Sequence, residues 1–388
     1  MLDLVPNQAF VIIGPKLREQ REIGTIATME IAPERMMHLF FLALVIEAVV
    51  LGSHALLRDK NLMASFDGHH DKKGGVSFVW QEPPGTTKPR GLLFLLHGCS
   101  HSATDFWPAG EHCEDCIGLP VEKTIVARAL SQGLAVVAMS STNREHKCWQ
   151  PVEDMPGAVQ VIHDMRLLMK VPKTAPNYLF GVSSGGFFAG FLGIHLNKLA
   201  RERPDLRVRA SCIQVAGLPG KMNSLANVEF MPSIIYVPMA RDSASVEKVH
   251  ESIAKFEENQ VTKAKDGGFE NVRKAKMQAI VAKAKPIDPN FFTLGGFLTP
   301  KESKILVEAF RRGALLDSDG LVSRDPRKYA SQYATAAREA LPGVYKKGGR
   351  DGLIPDLSPT MELLNMAFCV HEITTEGLDE TFSLFLKT

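Results

Sequence analysis

Short, wholly apolar runs separated by longer amphipathic stretches set the pattern of this chain. Leu92-Leu93-Phe94-Leu95-Leu96 and Leu134-Ala135-Val136-Val137-Ala138-Met139 are continuous apolar runs, the mark of strands buried on both faces. Val76-Ser77-Phe78-Val79-Trp80 alternates and predicts a strand, which Pro83-Pro84-Gly85 ends. Tyr178-Leu179-Phe180 predicts a short strand running into Gly181, and 208–215 and 233–237 predict two more. Helical spacing fills the intervals at 121–132, at 158–169 with Val161, Met165, Leu168 and Met169 on one side, and at 187–199. Alternating strands and helices argue for an α/β fold, a mostly parallel sheet covered by helices on both faces. The polar stretch His69-His70-Asp71-Lys72-Lys73-Gly74-Gly75 reads as a loop.

Beyond about Val261 the pattern changes. Residues 262–357 hold helical stretches broken by Gly and Pro and few strand-like runs, so they read as a largely helical, lid-like insertion. Val272, Lys276, Ala279 and Ile280 suit an amphipathic helix whose basic face, with Lys263, Lys265, Arg273, Lys274, Lys283 and Lys285 nearby, is solvated. The core is then 61–261 together with 358–388. Residues 358–369 read as a helix opened by Ser358-Pro359, and a last helical stretch covers 376–386. Asp317-Ser318-Asp319-Gly320 lacks the spacing of a calcium loop and reads as a turn.

Residues 1–60 form an N-terminal extension. Within it, 36–52 is apolar except for Glu47, which costs roughly 2.5–3.5 kcal/mol at the middle of a membrane span. Small residues follow at Ser53 and Ala55, and Met29, Met36 and Met37 are alternative starts. The segment is expected to act as a signal or anchor that takes the chain into the secretory pathway or onto a membrane. The alternative is a buried helix of a cytoplasmic protein.

Composition narrows the picture further. A 388-residue chain with 45% hydrophobic and 23% charged residues is globular and large enough to need no metal or disulfide for its core. A net charge of +2 gives no footprint for nucleic acid. Nothing in the sequence calls for a cofactor or a catalytic metal, and the expected partner is a small molecule.

The sharpest chemical motif is Gly181-Val182-Ser183-Ser184-Gly185-Gly186, a Gly-x-Ser-x-Gly turn between a strand and a strongly apolar helix. A serine there sits on a strained turn, so its neighbours two residues away must lack bulk, and the helix start favours negative charge beside it. His97-Gly98-Cys99-Ser100 follows the first long buried strand. An oxyanion hole needs two N–H donors aimed at one point. Ser184 can supply one and Gly98 or Cys99 the other.

On these residues the chain resembles the α/β-hydrolase superfamily, over about 75–255 and the last thirty residues. The string from His97 to Trp107 also looks like a plant and algal group within it. The resemblance implies a serine hydrolase with its acid after a later strand and its histidine near the C-terminus. Asp242, ending Ile234-Ile235-Tyr236-Val237-Pro238-Met239-Ala240-Arg241-Asp242, is the expected acid, with a helix N-cap as its simpler role and Asp351 as runner-up. His371 in Val370-His371-Glu372 is the expected base, whereas His250 follows Asp242 too soon and reads as a helix-face residue. The gap from Asp242 to His371 is longer than the compact family needs, and no clear final strand precedes His371. The implied reaction is cleavage of a carboxylic ester through an acyl-enzyme. The competing reading is a binding protein of slow or no turnover on the same fold.

Cys99, Cys113, Cys116 and Cys148 form a second constellation, with Cys212 in a strand and Cys369 late in the chain. In a secreted chain the first four are expected to form disulfides, with three pairings open. Zinc held by Cys113 and Cys116 with His112 or His146, or a redox role for that pair, are the weaker alternatives.

Overall fold

Strand residues alternate between two apolar layers, and this organises the molecule. A computed structural model describes residues 66–85, 88–265, 275–346 and 349–387. The expected signal or anchor at 36–52 lies outside them. Among the described residues no helix is long and apolar enough to cross a membrane.

The chain runs β1 (His69–Lys73), β2 (Val76–Gln81), β3 (Leu92–Leu96), α1 (Pro120–Ser131), β4 (Ala135–Met139), α2 (Pro151–Leu168), β5 (Asn177–Val182), α3 (Ser184–Leu199), β6 (Val208–Gln214), β7 (Ser233–Val237), α4 (Ser243–Lys265) and β8 (Met277–Ala279). Then follow α5 (Pro300–Arg312), α6 (Ala330–Ala340), α7 (Pro342–Tyr345), α8 (Pro359–Phe368) and α9 (Leu378–Lys387). The strands form one sheet in the order β1-β2-β4-β3-β5-β6-β7-β8. β1, β2 and β4 pair antiparallel, and β4 through β8 by way of β3 pair parallel. The expected α/β class, a mostly parallel sheet between helices, is what the chain adopts.

Each apolar run serves both faces, as a period of two requires. Leu93 and Leu95 of β3 pack with Val121, Ile125 and Ala129 of α1, and with Leu363, Phe382 and Phe385 of α8 and α9. Leu92, Phe94 and Leu96 pack on the other side with Val161 and Met165 of α2, Phe188 and Leu192 of α3, and Phe256 of α4. Full burial of each such side chain contributes roughly 1.5–3 kcal/mol. Phe310, Tyr333 and Val344, from the insertion, join the first of these layers.

Two stretches differ from the sequence expectation. His69–Lys73 is a strand, not a loop, joined to β2 by a turn in which Gly74 and Gly75 take φ of 57° and 82°. An edge strand needs only one hydrogen-bonded neighbour, and its charged side chains deter pairing with another chain. Met277–Ala279, expected within an amphipathic helix, is the edge strand β8. Backbone bonds from Ile234 N to Lys276 O and from Ile280 N to Tyr236 O dock it on β7. That pairing outweighs the short helical spacing, and it puts the last strand of the sheet inside the stretch 262–357 expected to be an insertion. α2 also starts earlier than the expected 158, at Pro151, with Pro156 inside it.

Candidate active site

Glycine makes the turn after β5 possible. A Cβ on Gly181 would lie 2.3 Å from Gly185 O, and one on Gly185 would lie 2.2 Å from Leu96 O. Between them Ser183 takes φ 52° and ψ −116°, a region that a side chain enters only under strain. Ser183 N donates to Gln214 O at 3.0 Å, and Ser183 O accepts from Phe187 N at 2.9 Å, so neighbours on both sides hold the strained residue. Ser184 opens α3, and its N–H has no acceptor within that helix.

Ser183 Oγ lies 2.8 Å from His371 Nε2, and His371 Nδ1 lies 2.6 Å from Asp242 Oδ2. The three residues expected from the sequence are thus brought together. Burial pushes the Asp242 carboxyl up, but hydrogen bonds from Ser245 and His371 outweigh it and hold the group below its ordinary value. An ionised carboxylate only accepts, so the proton of neutral His371 sits on Nδ1 and Nε2 faces the Ser183 hydroxyl as an acceptor. Asp242 also caps α4, Oδ1 accepting from Ser245 N at 3.2 Å. Both roles suggested for it therefore coexist on separate oxygens. Asp351 is elsewhere: its buried carboxylate accepts from Leu353 N, Ser358 Oγ and Thr360 N at the start of α8. His250 is exposed on α4, as expected.

The loop bearing His371 is held from three directions. α8 ends at Cys369 in the left-handed conformation, and His371 itself takes φ 44°. The Gln214 side chain donates to Thr374 O at 2.8 Å and accepts from Thr374 N at 2.9 Å. Arg327, from the insertion, donates to Val370 O, His371 O and Glu372 Oε2 at 2.8, 3.0 and 2.8 Å. Arg241 N donates to Cys369 O, tying the turn that carries Asp242 to the loop that carries His371.

Gly98 and Cys99 lie beside Ser183, and a Cβ on Gly98 would meet Ser183 Cβ at 3.7 Å. Burial pushes the His97 imidazole down to about 3, so it is neutral. His97 Nε2 accepts from Ser141 N at 3.1 Å, which leaves the proton on Nδ1 to donate to Gly98 O at 2.6 Å. A disulfide joins Cys99 to Cys148, and the neighbouring Trp149 donates from Nε1 to His97 O at 3.0 Å. A second disulfide joins Cys113 to Cys116, while Cys212 and Cys369 are free and buried. This is one of the three pairings open in the sequence. It removes all four thiols from metal binding, against the zinc alternative.

Two hollows flank Ser183. One, of about 280 Å³, is lined by Gly98, Cys99, His101, Glu122 and Arg327. The other, of about 490 Å³, lies towards Phe187, Gly217 and Lys248. A larger groove of about 600 Å³, by Glu251 and Lys255, contains no candidate nucleophile. In the first hollow, burial works to lower the His101 imidazole, but the Asp105 carboxylate at 2.9 Å prevails and raises it to about 9. Glu122, which also lines this hollow, and Glu362 are both buried.

Of the residues around Ser183, sequence reading missed His97, Gln214, Ser245 and Arg327. His97 was in view only as half of a His-Gly pair, and nothing near Arg327 in the chain points to the site.

No protein-family model and no curated protein matches the chain. Among solved structures it is similar to a thermostable esterase (14% identity over 58% of this chain, TM-score 0.34), of which it covers only 56%. It is also similar to Est1E from Butyrivibrio proteoclasticus, with 9% identity over 57% of this chain and 90% of that one and a TM-score of 0.38. A third is a predicted CIB-like hydrolase from Thermoplasma acidophilum, with 16% identity over 63% of this chain and 98% of that one and a TM-score of 0.34. Likeness at this level says nothing of the chemistry here. The strand order, with a strained serine turn after β5, an aspartate after β7 and a histidine in the loop before the final helix, is the α/β-hydrolase fold.

Proposed function

We propose that the chain is a serine hydrolase that cleaves a carboxylic ester of a small molecule. The observation that carries this reading is the continuous pair of hydrogen bonds from Ser183 through His371 to Asp242. Ser183 Oγ attacks the carbonyl carbon while His371 Nε2 takes the hydroxyl proton. Asp242 keeps the ring oriented and offsets its new positive charge. N–H groups of Ser184 and of Gly98 or Cys99 hold the oxyanion, a stabilisation worth ~3–4 kcal/mol per donor in such sites. His371 returns the proton to the departing alkoxide, leaving an acyl-enzyme. Water then adds to the acyl carbon as His371 takes its proton, and return of that proton to Ser183 Oγ releases the acid.

An ester fits this apparatus because its leaving group needs only one proton, which His371 already carries. The two hollows beside Ser183 provide separate spaces for the acyl and alcohol parts. The Cys99–Cys148 and Cys113–Cys116 bonds favour an oxidising compartment, reached by the secretory pathway. Hydrolysis of p-nitrophenyl acetate and butyrate tests the reading. Wild type should turn over repeatedly, Ser183→Ala should be inactive, and Asp242→Asn should lose roughly 10³–10⁴-fold in kcat. Equal turnover by wild type and Ser183→Ala would contradict the proposal.

A further inference from the structure

At the outer edge of the sheet, Asp67, His69 and His112 bring one ligand atom each to within 4.8 Å of the others. They come from two pieces of chain. Asp67 lies two residues before β1, His69 opens β1, and His112 immediately precedes Cys113 of the Cys113–Cys116 disulfide. Asp67 Oδ1 is 2.8 Å from His112 Nδ1, and Oδ2 is 3.6 Å from His69 Nε2. Two imidazoles therefore face a single carboxylate.

Their backbones are fixed. Asp67 N donates to Gln81 Oε1 at 3.1 Å, and His70 N donates to His112 O at 2.9 Å, joining the strand directly to the loop. The His69 ring is stacked between Trp80, at 4.7 Å, and His112, at 4.3 Å. The donors are thus half prepared, with chain positions set by backbone bonds and the His69 ring plane set by Trp80 and by His112.

We propose that Asp67, His69 and His112 form a binding site for a borderline divalent transition metal such as Zn²⁺. Two imidazole nitrogens and one carboxylate oxygen are a donor set for Zn²⁺, Co²⁺, Ni²⁺ or Cu²⁺, with a fourth position open to water. Ca²⁺ and Mg²⁺ want more oxygen ligands than these residues offer. The adjoining group of His70, Asp115 and Cys113 cannot serve in the same way, because the Cys113 sulfur is spent in the disulfide. The metal clips the segment just before the Cys113–Cys116 disulfide to the start of β1. It lies apart from the residues that line the hollows at Ser183 and takes no part in the reaction proposed there.

The test is titration of Zn²⁺ into the chelator-treated full chain, alongside Asp67→Asn, His112→Ala and His70→Ala. All these side chains are partly or fully exposed, so the variants keep the fold, which circular dichroism checks. Wild type and His70→Ala should bind one more Zn²⁺ than the other two variants. Zn²⁺ should raise their Tm alone, and Co²⁺ should give them visible absorption bands that Asp67→Asn and His112→Ala lack. Equal Zn²⁺ stoichiometry and equal Tm shifts in all four proteins would overturn the proposal.

Discussion

Asp242 shows how one side chain meets two demands. A carboxylate after β7 is useful as the cap of α4 and as the partner of His371, and its two oxygens divide the work. Ser183 and His371 were legible because each sits at a junction that sequence marks, a glycine-flanked turn and the loop before a final helix. His97 and Glu362 were not, because their roles come from burial, which depends on the assembled layers. Burial pushes the Glu122 and Glu362 carboxyls up, and the neighbouring Glu122 adds to the cost of ionising Glu362, which lies well above its ordinary value. Such a group binds a proton more tightly folded than unfolded. Its stabilising effect is complete below the unfolded value near 4.5 and is lost as pH rises towards the folded value. Glu362→Gln should therefore flatten the decline in stability between pH 5 and 8 and stabilise the protein at pH 8 by on the order of 1–3 kcal/mol. Urea unfolding at several pH values measures this, and parallel wild-type and variant curves would refute it.

Among the elements, the insertion reaches the site through Arg327. Its guanidinium holds three acceptors on the loop around His371, so it positions that residue, the proposed base, without touching Ser183. An insertion at 262–357 was expected over or beside the site, but the sequence could not name this contact, since 44 residues separate Arg327 from His371. A misplaced base costs far more in rate than in binding. Arg327→Ala should lower kcat for a small ester by roughly 10–100-fold with little change in KM, and Arg327→Lys should restore only part. An unchanged kcat would remove Arg327 from the account. The strands β1 and β8 escaped the sequence reading for a related reason. Both are edges, and their pairing with β2 and β7 is visible only once those neighbours are in place.

For the molecule as a whole, the α/β class was legible because each apolar run feeds two layers at once. The strand order was not, because periodicity carries no information about which strands are neighbours. Disulfide pairing likewise needed space: Cys99 meets Cys148 because the loops after β3 and β4 converge beside Ser183. That convergence gathers Ser183, its expected oxyanion donors and His371 at one end of the sheet. A fluorophosphonate probe tests it most directly, since it reacts only with a serine made nucleophilic by its surroundings. Wild type should be labelled at Ser183, Ser183→Ala should not be labelled, and His371→Ala should be labelled far more slowly. Folded wild type that stays unlabelled, or labelling that survives in Ser183→Ala, would contradict it.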